Sequence, residues 1–453
     1  MKIIIFGCGK IGSTIISCLS GEGHDIVAVD RNPIVVEEVT TTYDVIGLCG
    51  NGVDSYTLIE AGAAEAELFV AVTNSDELNM LGCFLARKMG AKHTIARIRN
   101  PEYNDNSLIF LKHTLDLSMS LNPELLAAQD IYNILRFPAA VKVDTFSGRN
   151  LEIVELLLKQ DSLFVGLSLS ELRKRHPEKF LVCYVMRNEE VYIPSGDFVL
   201  EIGDKIGVTA AHAEIAKLMK NMGMPQKQPK NIIILGAGKS AYYIAKMLTN
   251  QGLKVKIIDK DRAVCEKFAS ELPGAVMICG DGLKPEVLIE EGIDDAEAFI
   301  SLTGSDEVNM IGSFFAKSRN VPTIITKIKR HDLAVTAEKL GLECIVSTQE
   351  AVSEVLSRYA RALRNSLGSN VETLYKLMDG KAEILEFKAS DSFEYSGISL
   401  REMTLKKNIL IAGIIRHKKP MIPTGDDVIM PGDKVVVIAT DHKLGDLSDI
   451  IEK

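Results

Sequence analysis

Lys2-Ile3-Ile4-Ile5-Phe6-Gly7-Cys8-Gly9-Lys10-Ile11-Gly12 decides the fold. A short apolar run ends in a glycine triad, and the helical pattern Lys10–Leu19 follows. The spacing fits G-x-G-x-x-G at a strand-to-helix junction, the context in which that pattern carries meaning. Gly7 permits the tight turn, Gly9 lets backbone approach a pyrophosphate, and Gly12 lets helix and strand pack closely. The free N–H groups at the helix start then face phosphate with partial positive charge. Asp30 ends the second apolar run, 18 residues past Gly12. That is close to the ~20 expected of an acid that accepts hydrogen bonds from adenosine ribose hydroxyls. A carboxylate repels a 2′-phosphate, so NAD or an adenine nucleotide is the predicted ligand, in preference to NADP.

The arrangement returns as Gly236-Ala237-Gly238-Lys239-Ser240-Ala241, with Asp259 again 18 residues past the third position. Other landmarks keep step. Between 72–88 and 302–318, 9 of 17 positions are identical at an offset of 230. Between 193–210 and 422–439, 10 of 18 are identical at an offset of 229. In a chain of 453 residues this makes two copies of one unit. A period so long means duplicated modules, not a solenoid. Met224-Pro225-Gln226-Lys227-Gln228-Pro229 is polar, carries two prolines and reads as the linker.

Outward from the first glycine turn, short β-branched runs alternate with helical patterns. The runs are Lys2–Phe6, Asp25–Val29, Val45–Leu48, Leu68–Val72, Thr94–Ile98 and Leu115–Met119. Continuous apolar runs of four or five suit strands buried on both faces of a parallel sheet. Strand-helix alternation implies right-handed βαβ units. The rest of each copy is strand-rich, with a hairpin turn expected at Arg187–Glu189 and its counterpart between Arg416 and Pro420. The predicted class is α/β: two Rossmann-like, doubly wound parallel-sheet domains, each followed by a small α+β domain. The expected boundaries are 1–136, 137–224, 229–364 and 365–453.

Composition excludes several alternatives. Apolar residues make up 46% and charged residues 25%, which rules out a disordered, collagen-like or coiled-coil chain. No apolar run approaches the ~20 residues of a membrane span, and Met1–Gly7 lacks the core of a secretion signal. Both predict a cytoplasmic protein. The net charge of −9 has the wrong sign for a global nucleic-acid footprint. Eight cysteines without Cys-x-x-Cys spacing read as reduced core thiols, and no metal site is expected.

Further ligand candidates lie where strands of a doubly wound sheet end. Lys10 and Lys239 sit in the glycine turns, as phosphate contacts or solvated charges. Arg31 and Lys260 follow the two acids. Asn51 with Gly52, and Asp281 with Gly282, follow the third strand and line the expected adenine edge. Thr73, Asn74, Ser75, Asp76 and Asn79 follow the fourth strand, matched by Thr303, Gly304, Asp306 and Asn309. Ser75 or Asp76 can equally cap the next helix. Arg97 and Lys327 end the fifth strand, placed for a terminal phosphate or a surface salt bridge. Lys406, Lys407, Arg416, Lys418 and Lys419 form the densest basic stretch, a solvated surface or a face for an anionic partner.

An NAD-dependent oxidoreductase acting on a small metabolite is the competing class. It needs a proton donor or acceptor beside the nicotinamide. Tyr242-x-x-x-Lys246 has the spacing of a dehydrogenase pair but lies in the helix after the glycine turn, remote from any hydride acceptor. No histidine recurs at equivalent positions in the two copies.

Together the glycine turns, the acids, Val72–Met80 and Arg97-Ile98-Arg99-Asn100-Pro101-Glu102-Tyr103 resemble the TrkA family, cytoplasmic regulatory subunits of Trk potassium-uptake systems. The resemblance implies tandem RCK (regulator of potassium conductance) units without enzymatic activity that bind NAD(H), ATP or ADP. It implies a homo-oligomer, a tetramer forming an eight-unit ring, on the inner face of a membrane potassium-translocating partner that it gates. The family's aspartate after the third-strand glycine is Asn51 in copy one, and Ala241 replaces the third glycine in copy two. These departures leave the two sites free to prefer different ligands.

Overall fold

A computed structural model describes residues 1–103, 105–137, 139–146, 151–176, 179–210, 212–221, 228–365, 371–377, 381–440 and 444–452. The first copy opens with β1 (Lys2–Phe6), α1 (Lys10–Ser20), β2 (Asp25–Asp30), α2 (Pro33–Thr42), β3 (Ile46–Cys49) and α3 (Ser55–Glu60). It continues with β4 (Leu68–Ala71), α4 (Asp76–Met89), β5 (His93–Arg97), α5 (Asp105–Thr114), β6 (Met119–Leu121) and α6 (Pro123–Arg136). The six strands are all parallel, in the order β3-β2-β1-β4-β5-β6. This is the predicted doubly wound sheet, with its switch point between β1 and β4. The sixth strand starts later than the apolar run Leu115–Met119 suggested. Asp116 takes a left-handed turn (φ 51°), and Leu117 is buried as the chain leaves α5.

The small module holds β7 (Ala140–Phe146), β8 (Leu151–Leu157), α7 (Leu169–Arg175), β9 (Phe180–Arg187), β10 (Glu190–Tyr192), β11 (Lys205–Ala210) and α8 (His212–Asn221). Its antiparallel sheet runs β10-β9-β11-β8-β7. Asn188 and Glu189 turn the β9–β10 hairpin with φ of 51° and 64°, the conformation a tight two-residue hairpin needs.

The second copy repeats the plan. Its first part holds β12 (Asn231–Leu235), α9 (Lys239–Thr249), β13 (Lys254–Asp259), α10 (Arg262–Glu271), β14 (Val276–Cys279), α11 (Pro285–Glu290) and β15 (Ala298–Ser301). Then follow α12 (Asp306–Ser318), β16 (Thr323–Lys327), α13 (His331–Lys339), β17 (Cys344–Val346) and α14 (Thr348–Asn365). Its small module holds β18 (Val371–Leu377), β19 (Ala382–Lys388), β20 (Ile409–Arg416), β21 (Lys419–Met421) and β22 (Lys434–Thr440). Both strand orders match those of copy one. Of the expected linker, 224–227 lie outside the described residues.

The copies do not fold side by side; they exchange helices. Ala127, Ile131 and Ile134 of α6 are buried among Ile232, Ile244 and Leu248 of the second copy. Val352, Leu356 and Ala360 of α14 are buried among Ile3, Ile15 and Leu19 of the first. The small sheets also share a core, in which Phe146, Ile153 and Tyr184 meet Ile384, Ala412 and Ile438. An apolar face has to be buried, but periodicity does not say against which sheet.

Charged groups converge where α6, α14 and β7 cross. Lys142 Nζ lies 3.2 Å from Asp144 and 3.2 Å from Glu354. Asp130 on α6 faces Lys142 and Asp144 on β7, and Glu354 and Arg358 on α14. Burial, then the Glu354 carboxylate, pushes its carboxyl from the ordinary 3.8 up to about 7. The folded chain therefore keeps a proton that the unfolded chain has already lost. That contribution is complete below 3.8 and vanishes as pH rises through about 7. Melting temperature should accordingly fall between pH 4 and 7. Asp130→Asn should flatten that slope and raise the melting temperature at pH 8, read by scanning fluorimetry across the range.

Candidate nucleotide-binding sites

Each glycine turn is built by its own strand and by the acid from the next strand. Gly7 and Gly236 have φ of 97° and 96°. A Cβ on Gly7 would stand 2.8 Å from Thr73 N, so the turn needs glycine for both conformation and space. A Cβ on Gly12 would stand 1.9 Å from the Gly7 carbonyl oxygen. In copy two the Ala241 methyl is buried at that point, so the second turn leaves it room.

Gly9 differs in kind. Its φ is −64°, open to any residue, and a Cβ there would meet no protein atom within 4 Å. Gly238, with φ −87°, has only the Leu302 carbonyl oxygen at 3.9 Å. Packing within the chain does not demand glycine here, whereas an incoming pyrophosphate does. Neither α1 nor α9 has a side-chain cap, so their first N–H groups stay open to an anion.

Asp30 and Asp259 do more than sequence reasoning assigned. Asp30 Oδ2 accepts from Cys8 N (2.7 Å) and Oδ1 from Asn32 N (2.9 Å). Asp259 repeats this with Ala237 N (2.7 Å) and Asp261 N (3.0 Å). Each carboxylate braces the glycine turn and keeps acceptor capacity for ribose hydroxyls, since its two oxygens offer about four lone-pair sites.

In copy two the cradle opens into a cavity of about 560 Å³. Of the predicted residues it gathers Gly236, Gly238, Asp259, Lys260, Asp281, Gly282, Thr303, Gly304 and Lys327. Ile258, Val264, Leu283 and Val308 add apolar wall that sequence reasoning missed, because these residues read as ordinary core. Lys239 is exposed and lies outside the cavity lining; Ser240 and Ala241 are buried in α9. In copy one a cavity of about 560 Å³ lies along α1, bounded by Gly9, Lys10 and Ser13 with Gln349 and Ser353 of α14. Ile11 is half-buried against the core there. Arg31 donates to Asn51 Oδ1 (3.1 Å), and a Cβ on Gly52 would strike the Phe6 ring.

Several candidates prove to be struts. Asn79 is fully buried. Its Oδ1 accepts from Thr73 N (2.8 Å) and Thr73 Oγ1 (2.7 Å), and its Nδ2 donates to the Thr73 and Arg97 carbonyls (3.2 and 2.9 Å). Asn309 makes the matching bonds to Thr303 and Lys327. With four bonds inside the chain, neither amide has capacity left for a ligand. Asp76 does not cap α4. Ser75 does, accepting from Leu78 N, while Asp76 Oδ2 accepts from Arg99 N and Asn100 N at 2.8 Å. Ser305 and Asp306 divide the work identically. Asn74 is exposed, and its carbonyl accepts from Arg99 (2.7 Å).

Of the two alternatives at the fifth strand, a surface salt bridge does not fit. Arg97 and Lys327 are both buried. Arg97 faces Glu124 of α6 at 3.7 Å, and burial, then Arg99 beside it, lowers its pKa. Lys327 Nζ donates to the Leu302 carbonyl (2.9 Å) inside the cavity. Burial, then Lys329, pushes its ammonium down to about 8.

The basic stretch is not one patch. β20 runs for 8 residues between Lys407 and the hairpin tip, roughly 26 Å at strand rise. Arg416 is held by Asp433 at 2.7 Å. The tip residues Lys418 and Lys419 stay exposed.

The sites are linked across the copies. Tyr243, on the helix that leaves the second glycine turn, donates to the Arg99 carbonyl (3.0 Å) and accepts from Asn122 Nδ2 (2.9 Å). Tyr243→Phe strips that carbonyl and that amide of their partner. The expected loss is about 1–2 kcal/mol, read as a lower urea midpoint. Tyr242 packs against Tyr243 and Phe268, with Lys246 over its ring, and neither Tyr242 nor Lys246 lines the cavity.

Against known families, 3–110 and 232–348 match the TrkA-N domain, and 153–223 and 384–452 match the TrkA-C domain. The chain is 30% identical over 450 residues to a Trk system potassium uptake protein TrkA homolog of Archaeoglobus fulgidus, covering 99% of this chain and 100% of the relative. The chain belongs to the TrkA family. The TrkA of Vibrio alginolyticus is also 30% identical, covering 98% of this chain and 96% of its own. Among solved structures the GsuK RCK domain superposes with a TM-score of 0.62 at 18% identity, over 97% of this chain and 92% of that one. The GsuK channel bound to NAD gives 0.62 at 18% identity, over 97% and 77%. These likenesses establish the RCK fold for this TrkA-family chain.

Proposed function

We propose that this chain is a nucleotide-sensing regulatory subunit that gates a membrane potassium-uptake protein through a ring of RCK units. The observation that carries the reading is the braced, uncapped glycine turn, present twice in a body whose halves exchange helices. The relatives' names place them in Trk potassium uptake, and GsuK structures are described with NAD and with ADP. By this reading Gly9 and Gly238 seat the pyrophosphate, Asp30 and Asp259 take the ribose, and Lys327 meets a terminal phosphate. The ligands are NAD(H), ATP or ADP. The four expected domains act as two nucleotide modules, each with a small module behind it.

A homo-oligomer is supported by exposed apolar positions that recur in both copies: Ile46 and Val276, Ile59 and Ile289, Leu81 and Ile311, Phe110 and Leu340. Recurrence at one offset points to a contact that every RCK unit makes. Four chains then form the eight-unit ring. None of the helices searched among the described residues is long and apolar enough to cross a membrane. The ring sits in the cytoplasm, on its partner's inner face. The protein senses and does not turn over its nucleotide. A ligand shifts an equilibrium only by its differential affinity for two states, and crossed helices give two bound nucleotides a shared set of states. Calorimetric counting of sites for NAD, NADH, ATP and ADP, with potassium flux through the reconstituted partner, tests the proposal. Flux and ring dimensions unmoved by saturating NADH and ATP would defeat it. So would steady NADH oxidation with added acceptors.

A further inference from the structure

A pair of thiols sets the second site apart from the first. In copy two, Cys265 of α10 lies beside the end of β14, its Sγ 3.9 Å from the carbonyl oxygen of Ile278, the residue before Cys279. Cys265 is buried and Cys279 is exposed. Cys265 Sγ also donates to the Asp259 carbonyl (3.3 Å), which accepts from Gly280 N (2.8 Å) as well. Asp259 and Cys279 are partners in the β13–β14 ladder. Val264 and Gly280, the neighbours of the two cysteines in sequence, both line the cavity. The two cysteines therefore stand on the two walls that flank the ribose acid.

Copy one lacks the pair. The position of Cys265 is Val36, which is buried, and Cys49 matches Cys279 as an exposed single thiol. The duplication thus supplies an internal control.

We propose that Cys265 and Cys279 form a modification site, oxidised by a hydroperoxide to a disulfide that weakens nucleotide binding in the second cavity alone. The exposed Cys279 reacts first. Its thiolate sulfur attacks a peroxide oxygen, the O–O bond breaks, and the leaving hydroxide takes a proton to become water. Cys265 sulfur then attacks the Cys279 sulfenic acid, the S–O bond breaks, and a second water leaves with the Cys265 proton. Two thiols thereby pass two electrons and two protons to one hydrogen peroxide. Burial, then Cys279, Asp259 and Asp261, push the Cys265 thiol up to about 11. Cys265 is buried behind the exposed Cys279 and is therefore the resolving partner, and crosslinking should quicken with rising pH. The disulfide removes the S–H donor to the Asp259 carbonyl and draws α10 toward β14. The effect on binding rests on reading the cavity as a nucleotide site; the crosslink does not.

The test uses the full chain, treated with hydrogen peroxide, alkylated, digested without reductant and mapped by mass spectrometry. A 265–279 crosslink, reversed by dithiothreitol, is expected. Affinity for ADP at the second site should fall about tenfold on oxidation, while the first site stays unchanged. Cys265→Val, which places the copy-one residue, should abolish both the crosslink and the peroxide response. Val36→Cys should create a crosslink to Cys49. Over-oxidised Cys279 with no crosslink would overturn the proposal, as would a crosslink that leaves ADP affinity intact. A crosslinked chain that binds no nucleotide in either redox state would defeat the nucleotide reading and leave the thiol pair standing as a modification site.

Discussion

Asp259→Asn should weaken nucleotide binding at the second site by roughly 10- to 100-fold, and Asp30→Asn should do the same at the first. A hydrogen bond to a charged acceptor contributes about 1.5–3 kcal/mol, and each 1.4 kcal/mol is tenfold in Kd. The amide fails twice. It replaces the charged acceptor for the ribose with a neutral one. It also points an NH2 at one of the two backbone N–H groups the carboxylate now holds, those of Ala237 and Asp261 or of Cys8 and Asn32. Donor against donor loosens the glycine turn itself. Calorimetry on each single variant should find one strong site per chain where the parent has two. Unchanged stoichiometry and affinity in both variants would remove the ribose role from these acids.

Asn79→Ala and Asn309→Ala should each destabilise the chain by about 3–5 kcal/mol. The change leaves the Thr73 or Thr303 backbone N–H and two carbonyls without their amide partner, while the threonine hydroxyl keeps its bond to the Ser75 or Ser305 carbonyl. Each orphaned group costs about 1–3 kcal/mol, reduced where the loop can relax. Asn309 should cost more, since Ser301 Oγ also donates to its Oδ1 (3.2 Å). The helix exchange adds a second expectation. Cores built from both copies should unfold together, so either variant lowers one shared transition and not only that of its own half. Calorimetry and urea melts followed by far-ultraviolet dichroism read this. Two separated transitions would show that the copies melt independently.

Much of this was legible in the residues. The glycine spacing, the acids at strand ends and the repeat at an offset of about 230 depend on local conformation and on alternation of buried runs. Both are written in the chain order. The site was legible at Gly7, where a φ of 97° demands glycine, and at Asp30, whose carboxylate holds the turn. It was misread at Asn79, because a polar residue after a strand looks the same whether it faces a ligand or a neighbouring carbonyl. The basic stretch misled for a related reason. Nearness in sequence became distance once β20 ran between Lys407 and Lys418.

By itself the sequence determined two doubly wound sheets, each with a glycine turn and a bracing acid, and a family to which they belong. Those features follow from φ angles, side-chain period and strand-to-helix spacing, all set within some thirty residues. Only the tertiary structure decided that α6 covers the second sheet and α14 the first, that Tyr243 reaches Arg99, and that Cys265 has a partner where Val36 has none. Apolar burial is non-directional. An amphipathic helix therefore carries the demand for a partner but not its identity, and that choice is made only when the whole surface closes.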